Sequence, residues 1–205
     1  MDYNNIILET NNKISYITIN RPNQLNALNS ETIKELNHAI LFSEENQNVR
    51  CILLTGIGTK AFVAGADIKE FTDFNSPQGE ELSRKGQELL FDKLENCSIP
   101  TIAAINGFAL GGGLELAMSC HIRVSSTNAK MGLPEVSLGV IPGYGGTQRL
   151  SNLVGKGKAM EMVFTAGMIT AEEAFQCGLV NSICEQEDLL LTCEKIASKI
   201  CRNSG

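Results

Sequence analysis

Two glutamates and two glycine-rich turns are the parts of this chain best suited to chemistry. Glu115 stands in Gly111-Gly112-Gly113-Leu114-Glu115-Leu116-Ala117-Met118, three positions after Gly112, so on a helix the two share a face near its start. Glu135 stands in Met131-Gly132-Leu133-Pro134-Glu135-Val136-Ser137-Leu138-Gly139, again among apolar neighbours. An unpaired carboxylate in such surroundings is costly. Each glutamate therefore pairs with a base such as Arg149, turns to solvent, or sits in a dry site with a shifted pKa. For a lone glutamate the first two readings win. Two of them beside two backbone anion sites point instead to a pair that transfers protons.

The backbone sites are Ala61-Phe62-Val63-Ala64-Gly65-Ala66-Asp67-Ile68-Lys69-Glu70, after the apolar run Cys51–Thr55, and Asn106 to Met118, after Thr101–Ile105. Each reads as strand, small residues, helix start. Small side chains let a ligand approach the backbone, and free N–H groups at a helix start attract negative charge. Taken singly, such glycines serve equally well for tight turns and close packing. Neither stretch spells Gly-x-Gly-x-x-Gly, and the chain has no Gly-x-x-x-x-Gly-Lys-Ser/Thr and no Gly-x-Ser-x-Gly, which disfavours nucleotide and α/β-hydrolase chemistry.

The elements that must position these residues alternate between strand and helix, the arithmetic of an α/β fold. Expected strands are Ile6–Leu8, Ile14–Ile19, Cys51–Thr55, Thr101–Ile105, Ile122–Ser125 and Leu179–Ile183. Asn29 or Ser30 caps a helix whose inner face is Ile33, Leu36 and Ile40. Leu82, Leu89, Leu90 and Leu94 stripe a second helix ending before Pro100. Thr170-x-x-Glu173 is a capping box for a short helix stopped by Gly178, and Leu189, Cys193, Ile196 and Ile200 stripe the last. No linker, repeat or composition shift divides the chain, so residues 1–205 read as one domain.

Composition removes several function classes. With 17 basic against 23 acidic side chains the net charge is −6, and no basic block interrupts it, which argues against nucleic-acid and polybasic membrane partners. Aromatics make up only 5% and Trp is absent, too few for base-stacking platforms. No apolar run reaches the length of a membrane span, and the start lacks the basic-then-apolar order of a signal peptide. Seven cysteines without a Cys-x-x-Cys pair read as reduced thiols of a cytoplasmic protein. Two histidines, His38 and His121, are a poor basis for a zinc site or a Ser–His triad.

Five motifs in order resemble the enoyl-CoA hydratase (crotonase) family: Asn20-Arg21-Pro22 with Asn26-Ala27-Leu28; Phe62 to Asp67; Ile102 to Ile122 around Gly111-Gly112-Gly113; Pro134-Glu135-x-x-Leu138-Gly139; and Pro142-Gly143-x-Gly145-Gly146-Thr147-Gln148-Arg149-Leu150. The match covers essentially the whole chain, and within the family it is most similar to bacterial short-chain 3-hydroxybutyryl-CoA dehydratases. The resemblance implies an α/β fold built as a crotonase-like ββα spiral. It implies an acyl-CoA substrate lying along Ala27, Ala64, Ala66, Asp67, Ile68, Lys69 and Gly112, with the thioester oxygen in an oxyanion hole made by the N–H groups of Ala66 and Gly112. Asp67 also suits a plain N-cap, and Lys69 suits a solvated surface position as well as a phosphate contact.

By the same resemblance, Glu115 is the base towards water and Glu135 the acid towards Cα in hydration, with the roles reversed in dehydration. Relatives that isomerise or decarboxylate often keep one of these glutamates, so retention of both favours hydratase chemistry; enoyl-CoA isomerase and a catalytically silent acyl-CoA binder are the alternatives. No metal or redox cofactor is implied, since CoA belongs to the substrate, and a homotrimer or hexamer is expected. Family members continue into C-terminal helices that build the trimer, and this segment is expected to be missing after Arg202-Asn203-Ser204-Gly205. Two departures stand out. His121 occupies a position often held by Asp, which suggests a buried or capping histidine, and Leu133 replaces a commonly polar residue, which would make the Glu135 pocket more apolar and raise its pKa.

Overall fold

The strand Ile14–Ile19 carries apolar residues on both faces, and such a strand is stable only with cover on both sides. A computed structural model of the chain describes residues 3–70, 72 and 74–203 and shows that arrangement; Met1, Asp2, Phe71, Asp73, Ser204 and Gly205 lie outside the described residues. Among the described residues ten strands form two sheets. The larger contains β1 (Ile6–Asn11), β2 (Ile14–Ile19), β3 (Cys51–Gly56), β5 (Thr101–Ile105), β7 (Ile122–Ser126) and β10 (Ser182–Cys184), in the order β1-β2-β3-β5-β7-β10. All its pairs are parallel except the hairpin β1–β2. The smaller contains β4 (Ala61–Val63), β6 (Phe108–Leu110), β8 (Lys130–Gly132) and β9 (Met168–Thr170), in that order.

Three times the chain steps from the large sheet to the small one, from β3 to β4, β5 to β6 and β7 to β8. These steps are the turns of the expected ββα spiral. Sequence reading missed all four small strands, because three residues each are too few to show an alternation.

Alternate residues of the large sheet feed two cores. Ile17, Ile19, Ile52, Leu54, Ala103 and Ile105 face the main core, which the small sheet and most helices share. Ile14, Cys51, Leu53, Ile102 and Ala104 face the other way and are covered by Leu189, Cys193 and Ala197 of the last helix, Leu189–Arg202. Within that helix Ile196 and Ile200 are partly buried, as the expected stripe requires.

Helices follow their sequence signals with one correction, and one expected strand is shortened. In α1 (Ser30–Glu45) Asn29 is the N-cap, its side chain accepting from Thr32 N, and Ile33, Leu36 and Ile40 are buried. The Thr170 capping box opens the helix Ala171–Gln176 as expected. The second helical segment runs through α2 (Ser76–Gly86), a π turn (Gln87–Phe91) and α3 (Asp92–Glu95). Its π turn adds a residue to one turn and rotates the following stripe, so Leu90, Phe91 and Leu94 are buried while Leu89 is exposed. The expected strand Leu179–Ile183 forms only at Ser182–Cys184; Leu179 and Val180 instead donate to Ala174 O and bury their side chains in the main core. Among the described residues no helix is long and apolar enough to cross a membrane.

Candidate active site

Each glycine-rich turn sits where a strand of the small sheet ends. After β4, Gly65 takes φ +116°, a backbone conformation that a β-carbon would strain. Leu28 then bridges Ala66 in parallel fashion, donating to Gly65 O and accepting from Asp67 N. In such a bridge the Ala66 N–H takes no part, so it is directed away from residue 28 as a free donor. After β6, α4 (Gly112–Ser119) begins with the Gly112 N–H, one of the donors that a helix start leaves unpaired. A Cβ on Gly112 would stand 3.6 Å from Ala66 N, so the two donors are neighbours. The helix start is pressed against β4, since a Cβ on Gly113 would lie 2.0 Å from Val63 O. At its other end Cys120 O accepts from the buried Arg123 guanidinium, a cation placed where the helix dipole favours it.

Glu115, one turn into α4, is 1% exposed. Its Oε1 accepts from Tyr144 N and Gly146 N, both at 2.8 Å, which leaves Oε2 without a donor among the described residues. Gly146 opens the helix α5 (Gly146–Val154), and a Cβ there would stand 2.8 Å from Glu115 Cγ. Burial pushes the Glu115 carboxyl up to about 7; its two backbone donors pull the other way, and the charge of Glu135 pushes it higher. Arg149 does not pair with either glutamate. Itself buried, it donates to Tyr144 O at 2.6 Å, to Asp92 at 2.8 Å and to Glu95 at 2.6 Å, and so fixes the loop that holds Glu115.

Glu135 lies in a single 3-10 turn, Glu135–Leu138, entered from β8 through Leu133 and Pro134. A Cβ on Gly111 would stand 3.0 Å from its Oε1, which places it against the same glycine turn. Its Oε2 is buried without a hydrogen-bond partner among the described residues, and burial pushes the carboxyl above its usual range. Four expected residues, Ala66, Gly112, Glu115 and Glu135, thus converge on the meeting of the two glycine turns. Each turn offers one N–H donor, the two side by side, and next to them stand two carboxyls that resist being ionised together.

The other expected residues form a rim. Ala27 and Ala64 are half-buried, and Ile68 and Lys69 are exposed. Asp67 stands directly before the 3-10 turn Ile68–Glu70; its carboxylate pairs with Arg21 at 3.0 Å, and the same guanidinium donates to Ala27 O, tying two rim segments together. Glu70, which sequence reading passed over, accepts from Ser30 N at 2.7 Å and Ser30 Oγ at 2.8 Å, joining the rim to α1. His121 is exposed rather than buried, and its Nδ1 accepts from Thr101 N at 3.0 Å, which caps the start of β5 and puts the ring proton on Nε2 when neutral. Leu133 is fully buried in the main core. Tyr144 also escaped sequence reading; the flanking glycines of Gly143-x-Gly145-Gly146 were the available signal.

A sequence profile described as Enoyl-CoA hydratase/isomerase matches residues 9–205. The chain belongs to that family. It is 51% identical over 204 residues to the short-chain-enoyl-CoA hydratase of Clostridium acetobutylicum, covering 100% of this chain and 78% of that protein. It is 47% identical over 200 residues to the crotonyl-CoA hydratase of Syntrophomonas wolfei, covering 98% and 76%. The crystal structure of the enoyl-CoA hydratase from Bacillus anthracis superposes with a TM-score of 0.91 at 39% identity, covering 98% of this chain and 78% of that one. The ββα spiral of this chain is therefore the fold of the enoyl-CoA hydratase/isomerase family.

Proposed function

We propose that this chain is a hydro-lyase that adds water reversibly across the double bond of short-chain trans-2-enoyl-CoA thioesters, and dehydrates 3-hydroxybutyryl-CoA to crotonyl-CoA. One observation carries the reading: a buried and a half-buried carboxyl, both with raised pKa values, stand beside two adjacent, uncommitted backbone donors. The thioester oxygen accepts from Ala66 N–H and Gly112 N–H, and Ala27, Ala64, Asp67, Ile68 and Lys69 line the approach of the CoA moiety. Charge builds on that oxygen as the enolate-like transition state forms, so the donors stabilise it more than the ground state; one such donor contributes about 3–4 kcal/mol.

Glu115, fixed through Oε1, uses Oε2 to hold the water and take its proton as the oxygen bonds to Cβ. Glu135 gives its proton to Cα. Atoms balance: one H and one OH are added, and the pair ends with its single proton moved from Glu135 to Glu115. Dehydration runs the same steps backwards. Seven thiols, all buried or half-buried, support a reducing, cytoplasmic setting. The exposed side chains of Leu138, Ile141 and Phe164 support self-association, as in the expected trimer or hexamer.

The test is turnover of crotonyl-CoA by the purified chain, followed through loss of the conjugated-enoyl absorbance. Hydration that is abolished in Glu115→Gln and in Glu135→Gln is expected. A chain that shifts the double bond of 3-enoyl-CoA and survives Glu115→Gln would be an isomerase. Binding of CoA esters without either reaction would make it a silent binder.

A further inference from the structure

The Tyr144 side chain is used by no step above, yet it lies against the reaction centre. Its backbone N–H donates to Glu115 Oε1 and its carbonyl accepts from Arg149, so both ends of the residue are pinned. The ring is 6% exposed and stacks on the fully buried Phe91, with centroids 4.4 Å apart and planes 10° from parallel. One edge faces Gly112, where a Cβ would stand 3.4 Å from Cδ2. The opposite edge presses on Gly86, where a Cβ would stand 2.4 Å from Cε1, so only a residue without a side chain fits there. Gly86 in turn lines a groove of about 880 Å³ between α1 and α2, whose walls include Ile33, Phe74, Leu82 and Leu89. The ring therefore stands between the Gly112 donor and an apolar groove.

Resting on the hydratase reading, we propose that the Tyr144 ring is the wall that ends the acyl pocket. It limits the length of the acyl chain that the site accepts and separates the site from the groove beyond Gly86, which has room for a longer tail. The wall cannot swing aside by a backbone movement without breaking the hydrogen bonds that orient Glu115, so chain-length selection is tied to the catalytic geometry. Packing on Phe91 and Gly86 leaves the ring no alternative rotamer space inside the core.

The experiment compares kcat/KM for crotonyl-CoA and trans-2-octenoyl-CoA in the unaltered chain and in Tyr144→Ala, Tyr144→Leu and Tyr144→Phe. In the Ala and Leu variants the octenoyl-to-crotonyl ratio rises about tenfold or more, the scale at which a pocket reads a few methylenes. Tyr144→Phe keeps the unaltered ratio, because the ring and not the hydroxyl is the wall. A ratio unchanged in a folded Ala or Leu variant overturns the proposal. Calorimetric binding of butyryl-CoA and octanoyl-CoA makes the same comparison without turnover. If the unaltered chain fails to hydrate crotonyl-CoA, the hydratase reading falls, while the binding ratio still decides whether Tyr144 sets the length of the pocket.

Discussion

The two glutamates of the site are held in opposite ways. Glu115 rides on a helix pressed against β4, is almost fully buried, and has one oxygen fixed by two backbone donors. Glu135 belongs to a four-residue 3-10 turn that runs straight into the exposed Leu138, Val140 and Ile141, and its buried oxygen has no partner among the described residues. The first carboxyl is built into the core; the second is placed against it from the edge. A water must be held at a fixed angle to attack Cβ, whereas a proton given to Cα tolerates a softer mount. The rigid glutamate suits the first task and the edge glutamate the second.

The largest effect separates the two by stability as well as rate. Glu115→Gln keeps an acceptor for Tyr144 N and Gly146 N but removes the base, and turnover of crotonyl-CoA falls about 10³- to 10⁴-fold. The same substitution removes a carboxyl whose pKa rises from the usual carboxylate range to about 7 on folding. A raised carboxyl is tolerated while protonated; its cost grows as pH climbs from about 4.5 and is complete above about 7. Glu115→Gln therefore stabilises the fold by about 3 kcal/mol at pH 8 and by little at pH 4.5, at 1.4 kcal/mol per unit. Denaturant melts at the two pH values check this, and equal stability changes at both would show that folding does not raise the pKa of this carboxyl. Glu135→Gln loses comparable activity, but its stability gain is smaller, because that carboxyl is less deeply buried.

Next in size is the effect of Arg149, which supports only the rigid glutamate. Arg149→Met strands Asp92 and Glu95 and frees Tyr144 O, so the loop that orients Glu115 loosens. A drop of about 10- to 100-fold in kcat with KM little changed is expected, partly restored by Arg149→Lys. An equal rise in KM instead would mean that Arg149 shapes the binding surface rather than the base.

Much of the scaffold was legible from sequence because its signals are local. Asn29, the Thr170 capping box and the two-faced strands follow from caps and alternation over short windows. The four strands of the small sheet were not, since three residues each carry no period and pairing is decided at long range. The site divides along the same line. Ala66, Gly112, Glu115 and Glu135 were visible as types in context, assisted by the family resemblance. The supports of the site were hidden, because Arg149 with Glu95, Arg21 with Asp67 and Glu70 with Ser30 are each joined across 40 or more positions of chain. A π turn also shifted the helix stripe in a way that no fixed period foresees.

The coupling between the two carboxyls predicts a pH profile. Because the charge of Glu135 helps to push Glu115 up to about 7, that step is the loss of the pair's last proton. Above it both carboxyls are ionised and hydration lacks its acid, so kcat/KM for crotonyl-CoA declines as pH rises past about 7. In Glu135→Gln the neighbouring charge is gone, and the Glu115 carboxyl titrates below 7 by carbon NMR of labelled glutamate. A Glu115 pKa that stays at about 7 in that variant would assign the whole shift to burial and leave the two groups independent.

The smallest effect concerns how the edge glutamate is kept dry. Leu133, fully buried two positions before Glu135, is the nearest core side chain in sequence, and its replacement by a polar one should ease ionisation of the carboxyl. In the pair the titrations mix, so the measurement belongs in the Glu115→Gln background, where Glu135 titrates alone. There Leu133→Gln lowers the Glu135 pKa, and in the otherwise unaltered chain it moves the acid limb of the rate profile down in the same direction. The fold loses about 1–3 kcal/mol, because a buried amide needs partners that an apolar core does not offer. A Glu135 pKa that does not move would place its drying in the 3-10 turn and the Gly111 contact, and the edge carboxyl would then owe its raised pKa to backbone placement rather than to the core behind it.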